Sequence, residues 1–125
     1  MYKIELPLLG FEHIKELDIK SVDSNFVTLV LNKEKSLNIN LVNISYFKEV
    51  NFNFNIDDET LEKMHIHELS DFKIFFCVVM QKPIEDSIVN LAAPILINER
   101  HKIIGQYVIK DRIPRLFTSL NDTSI

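Results

Sequence analysis

Strict alternation of apolar residues with asparagine constrains this chain more than any other feature. Leu37, Ile39 and Leu41 alternate with Asn38 and Asn40. Val50, Phe52, Phe54 and Ile56 alternate with Asn51, Asn53 and Asn55. Side chains on a strand point to opposite faces in turn, so both stretches read as strands with one buried and one wet face. Phe26 to Leu31 and Ile74 to Met80 are β-branched or apolar nearly throughout and read as strands buried on both faces. Ile95 to Asn98 and Gln106 to Lys110 flank Glu99 to Gly105 as a hairpin with a longer connection.

One short helix is predicted, from Asp58 to Met64. Asp57 or Asp58 can cap it, the acids Asp58, Glu59 and Glu62 favour its positive end, and Leu61 and Met64 face inward. Glycine occurs only at positions 10 and 105, so turns needing a positive φ fall to Asn25, Asn32 and Asn98. The expected fold is mainly β: a small antiparallel β-barrel-like single domain with one short helix, covering residues 1–125, with about 118–125 as a flexible tail. The expected core holds Phe26, Leu29, Leu37, Ile39, Phe52, Phe54, Phe75 and Cys77.

The 125 residues suit one domain, and 46% hydrophobic with 26% charged residues is an ordinary globular balance. No apolar run approaches the roughly 20 residues a membrane helix needs, and Met1 to Gly10 lacks the basic and apolar blocks of a secretory signal. One cysteine permits no internal disulfide, which fits a reducing compartment. A net charge of −4 disfavours phosphate-driven nucleic-acid binding and suits a basic protein partner.

The chain has no phosphate-cradling glycine loop, no nucleophile elbow and no cysteine pair for zinc. Cys77 lies between Phe76 and Val78 and reads as a core thiol rather than a nucleophile. His65 and His67, with Glu68, resemble two ligands on one strand face, but no third ligand is placed, and a polar connection after the helix is the plainer reading. Phe52 and Phe54 could stack bases in an OB-like nucleic-acid-binding barrel, yet alternation puts them on the core side and no basic rim surrounds them. Between Asp57 and Asp71, six acids opposed only by Lys63 leave a local charge of −5, and Glu85 with Asp86 adds a second acidic turn. These acids are either a docking surface for a basic partner or a solvated face that keeps the chain soluble.

Two segments carry a family resemblance. Pro7-Leu8-Leu9-Gly10-Phe11-Glu12 resembles the signature near the start of the FliW family of flagellar assembly factors, and Asn90-Leu91-Ala92-Ala93-Pro94-Ile95-Leu96-Ile97-Asn98 resembles its second signature. Gly105-Gln106 matches the family's step into the next strand, and Phe26, Leu29, Ser36, Leu37 and Ile39 fall at its strand positions. The chain departs from the family at Asn43-Ile44, where Asp-Pro is common, and at Asp111 to Arg115, the family's closing tyrosine region. Gly10, Phe11, Glu12, Asn90, Leu91, Pro94, Asn98, Gly105 and Gln106 are expected to maintain structure, Gly10 by its backbone freedom and Pro94 by opening a strand at an edge or bulge.

The resemblance implies a non-enzymatic cytoplasmic protein with no cofactor, no small-molecule substrate and no direct contact with nucleic acid or membrane. Its implied partners are flagellin and CsrA, a basic RNA-binding repressor of flagellin translation. It implies that flagellin and CsrA compete for the chain, which antagonises CsrA whenever flagellin is exported. On this reading Asp58, Glu59, Glu62, Glu85 and Asp86 face CsrA. An edge near Pro94, Ile95 and Ile97 offers the groove for an amphipathic flagellin helix.

Overall fold

The β-branched and aromatic runs become strands, and the strands close on themselves. The computed structural model describes residues 1–125. Its strands are β1 (Tyr2–Leu6), β2 (Glu16–Ser21), β3 (Phe26–Asn32), β4 (Leu37–Asn43), β5 (Lys73–Val79), β6 (Ile88–Asn90), β7 (Ile95–Asn98), β8 (Ile103–Gln106) and β9 (Phe117–Ser119), with one α-helix, α1 (Asp58–Lys63), between β4 and β5. They are ordered β4-β3-β2-β1-β8-β7-β5, and a β4–β5 pairing closes these seven into a barrel. β6 and β9 extend the sheet beyond β5. All pairings are antiparallel except β1 with β8, which is parallel.

Over β5, β7 and β8 both faces of the barrel wall are buried, which explains their uninterrupted apolar runs. Leu8, Leu17, Leu29, Leu41, Phe75 and Ile104 fill the interior. Outside the wall, Val42, Phe76, Val78 and Val89 pack with Phe52 and with Leu120 and Ile125 from the C-terminal segment. A third cluster joins Met64 and Ile66, at the end of α1, to Leu96, Ile103 and Tyr107. In β5, Phe75 points into the barrel and Phe76 out of it, so the expectation of two buried faces holds at its centre. In β3 only Leu29 is fully buried.

Several expectations need correction. Residues 50–56 form no ladder: the backbone pairing of this run is confined to its start, where Glu49 bridges Ser124 and the Asn51 amide donates to the Ile125 carbonyl. The alternation itself survives: Phe52 is buried, Phe54 and Ile56 are half-buried, and Asn53 and Asn55 are exposed. The hairpin is tighter than expected, with β8 starting at Ile103. After Gln106 the ladder becomes irregular: the amides of Tyr107 and Ile109 donate to Pro94 and Ala92 (2.9 and 3.1 Å), but Pro94 has no N–H to return. Of the expected core, Leu29, Phe52 and Phe75 are buried, whereas Phe26, Leu37, Ile39, Phe54 and Cys77 are half-buried. Phe26 and Leu37 open β3 and β4, where the barrel rim meets solvent.

Positive φ falls on Gly10 (84°) and on Ser36, His65 and Lys102 (52°, 54° and 55°), not on Asn25, Asn32 or Asn98. Asn32 and Asn98 serve the turns with side chains instead, accepting from the Lys35 and His101 amides. Residues 118–125 are packed rather than loose: Thr118 and Ser119 belong to β9, and Leu120 and Ile125 lie in the core.

Candidate protein-docking site

The α1 helix begins at a cap that the sequence specifies. The Asp57 side chain accepts from the Thr60 amide at 2.8 Å, and Asp58 and Glu59 occupy the first turn. Asp57 also pairs with Lys110 on the far side of the β8 exit. That ammonium, with the Thr60 contacts, holds the Asp57 carboxyl far below the usual range and raises the Lys110 amine. After α1 the chain turns at His65 and Ile66 enters the core. Asp71 ties off the following loop by accepting from the His67 and Glu68 amides at 2.8 and 3.0 Å, and these bonds lower its pKa.

Between this loop, α1 and residues 52–56 lies a groove of about 460 Å³. Its walls are mostly apolar: Phe54, Ile56, Leu61, Phe72 and Ile74 line it. Leu69, 86% exposed, stands on its margin. Acids border it. Glu68 is part of the wall, and Asp58, Glu59 and Glu62 ride the same helix as Leu61. Glu59 is paired with Lys63 at 3.3 Å. An exposed apolar concavity beside carboxylates can accept a protein segment that brings both apolar side chains and positive charge.

The residues singled out in the sequence fall at different places. Asp58, Glu59 and Glu62 lie together on α1 beside the groove. Glu85 and Asp86 lie in the exposed 3-10 turn Ile84–Asp86 between β5 and β6, where Ile84 borders a hollow with Val22, Phe26 and Met80, and they are not part of the groove beside α1. Pro94, Ile95 and Ile97 are buried, and β7 runs between β5 and β8. They are core residues, which corrects the expectation of an exposed edge groove there. Pro94 precedes an interior strand because position 94 needs no amide donor at that point.

The signature residues make specific contacts. The Gly10 amide donates to the Glu12 carboxylate at 2.7 Å, and Phe11 packs against the interior cluster. Asn90 accepts from the Ala92 amide at 2.9 Å, and Leu91 is buried. Asn98, fully buried, donates to the Met64 and His65 carbonyls and so ties the end of α1 to the β7–β8 turn. Gln106 accepts from the Leu9 amide and donates to the Ala93 carbonyl, joining the two signatures. At Gly105 a Cβ would lie 2.7 Å from the Leu6 Cβ, at the irregularity where β1 meets β8.

Other candidates take internal roles. Phe52 packs edge-on against Phe76 and Phe54 stacks on Tyr107 (centroids 5.7 and 6.2 Å apart), so their rings are engaged within the protein rather than offered to bases. His65 stacks on His101 at 4.8 Å, while His67 lines the groove, so the two histidines do not share a face. Burial pushes the Cys77 thiol up to about 11. No helix is long and apolar enough to cross a membrane. The groove itself escaped the sequence reading. Its only sequence signal was a strand-like run at 50–56 followed by acids.

Comparison with known proteins agrees with the signatures. The family model described as FliW protein matches residues 1–117. Flagellar assembly factor FliW 1 of Wolinella succinogenes is 33% identical over 109 residues, covering 87% of this chain and 84% of the relative. Flagellar assembly factor FliW of Helicobacter pylori strain G27 is 35% identical over 110 residues, covering 86% and 80%. A crystal structure of the flagellar assembly factor FliW superposes with a TM-score of 0.82 at 24% identity, covering 94% of this chain and 83% of that one, and so has the same fold. The chain belongs to the FliW family of flagellar assembly factors.

Proposed function

We propose that this protein binds flagellin and antagonises the repressor CsrA by direct contact in the cytoplasm, relieving repression of flagellin synthesis without any covalent step. Family membership supports the biology, and the acid-bordered apolar groove is the observation that supports the mode. Leu61 lines the groove while Asp58, Glu59 and Glu62 extend from the same helix. A partner on the groove therefore crowds a partner on the acids. A standard interface takes about 800 Å² from each side. Against a total accessible surface of 7836 Å², two partners centred on one six-residue helix overlap. Mutual exclusion then makes regulation a matter of mass action.

The test is a displacement titration. Labelled CsrA is bound to the protein and flagellin is added. Complete release is expected, with a midpoint that rises in proportion to CsrA concentration once CsrA is saturating. A ternary complex with both affinities unchanged would overturn the switch. Charge reversal at Glu59 and Glu62 should slow CsrA association and flatten its salt dependence, because opposed surface charges act chiefly on encounter.

A further inference from the structure

Residues 50–57, of which 52–56 line the groove, lie in no strand of the barrel but have one bonded edge and one free edge. In an extended chain, the N–H and C=O of one residue point to the same edge, and successive residues alternate edges. Here the odd positions turn toward the chain's own later segments. The Glu49 and Asn51 amides donate to the Thr123 and Ile125 carbonyls, and the Glu49 carbonyl accepts from the Ile125 amide. The Asn55 amide donates to the Asp111 carboxylate, and its carbonyl accepts from the Tyr107 hydroxyl, which also accepts from the Asp57 amide. Among odd positions only Asn53 makes no such bond. At the even positions Val50, Phe52, Phe54 and Ile56, neither amide nor carbonyl has a partner in the chain.

The free edge faces the groove. All five residues from Phe52 to Ile56 line it, as expected of a strand lying edge-on to a cleft. At 3.3 Å per residue they span about 17 Å. We infer that the groove binds its partner by strand addition. A partner segment in extended conformation pairs with Phe52, Phe54 and Ile56, lays alternate apolar side chains against Leu61, Leu69 and Phe72, and turns basic side chains toward Glu62 and Glu68. Charge complementarity selects this occupant: Glu68 in the lining, and Asp58 and Glu62 on the helix that carries Leu61, form no salt bridge within the protein. The inference rests on the protein-binding reading above and deepens it, replacing the amphipathic helix expected from the sequence with a basic, alternating strand.

The probes are capped heptapeptides of one composition, LKLKLKL with strand period and LKKLLKL with helix period, and the acidic LELELEL. Each is titrated into isotope-labelled full-length protein while amide exchange is followed by NMR. LKLKLKL should slow exchange at Phe52, Phe54 and Ile56 at least tenfold and leave Asn51 and Asn55 unchanged, and LELELEL should bind at least tenfold more weakly. Ile56→Pro removes a free-edge donor and should weaken LKLKLKL about fivefold to tenfold, as for one lost hydrogen bond. Asn53→Pro removes an amide on the other edge and should stay within about twofold. Unslowed even-position amides with peptide bound, or tighter binding of LKKLLKL, overturn strand addition. The same exchange measurement on complexes with flagellin and with CsrA separates the two proposals. Binding without protection at the even positions rejects the strand mode alone. Failure of both proteins to bind, with LKLKLKL still protecting them, rejects the assigned partners alone.

Discussion

Gly105 shows how a single residue sets a backbone contact. A Cβ there would sit 2.7 Å from the Leu6 Cβ, and that atom belongs to a stiff strand rather than to the end of a flexible side chain. Gly105→Ala must push β1 and β8 apart at their only parallel junction. It should destabilise the fold by about 1–3 kcal/mol, seen as a lower denaturant midpoint with an unchanged slope. Gly10 differs: nothing lies within 4 Å of its Cβ position, and its φ of 84° is what calls for glycine. Cys77 shows the reverse, a reactive atom made inert by its surroundings. Its thiol is pushed up from 9.0 to about 11 by burial alone. Maleimide or disulfide reagents should label it far more slowly in the folded protein at neutral pH than in denaturant, because the thiolate is scarce and the residue only half-exposed to reagent. Because the folded pKa is the higher one, its contribution to stability is complete below pH 9.0 and declines as pH rises toward 11.

At the scale of the element, α1 is six residues long and too short to be stable by propensity. It persists because Asp57 caps it, Met64 anchors its end in a dry cluster, and Asn98 holds the Met64 and His65 carbonyls. Lys110 and the Thr60 contacts lower the Asp57 pKa from 3.8, and Asp71 and Asp122 are lowered by the His67 and Glu68 amides and by Arg115 respectively. A depressed carboxyl stabilises the fold above its unfolded value and loses that contribution as pH falls through the folded value. Stability should therefore fall below about pH 4, and Asp57→Asn should lower the melting temperature at pH 7 and lessen its decline between pH 4 and pH 2. An acid limb identical to the parent's would show that Asp57 is not coupled to folding.

On the scale of the whole molecule, closing seven strands into a barrel leaves one wall that must be covered from outside. The covering comes from distant chain segments. Phe52, α1, and the C-terminal Leu120 and Ile125 pack onto the outer faces of β5, β6, β7 and β8. The C-terminal residues are thus part of the core even though they carry little regular structure. A chain ending at Phe117 loses the burial of Leu120 and Ile125, worth about 1.5–3 kcal/mol each, together with the Ile125 bonds to Glu49 and Asn51. Its melting temperature should drop by about 10–25 °C, with faster amide exchange at Asn51. An unchanged melting curve would mean that the segment decorates the fold rather than holding it.

Local pattern was enough to read some of this protein. Period-two alternation marked β4, the β-branched runs marked β3 and β5, and Asp57 with its acids marked α1 within one residue, because these signals are properties of a few neighbouring residues. Gly10, Asn90, Pro94, Asn98, Gly105 and Gln106 were also visible as a signature, though not the contacts they make. Tertiary structure decided the rest. Residues 50–56 have the same alternation as β4, yet β4 finds neighbours on both edges and 50–56 does not. Pro94 to Ile97 read as an edge because proline cannot donate, but the strand runs inside the barrel, where one missing donor is tolerated at its entry. Pairing partners lie far apart along the chain, so which edge is covered and which is left open is settled only when the barrel closes.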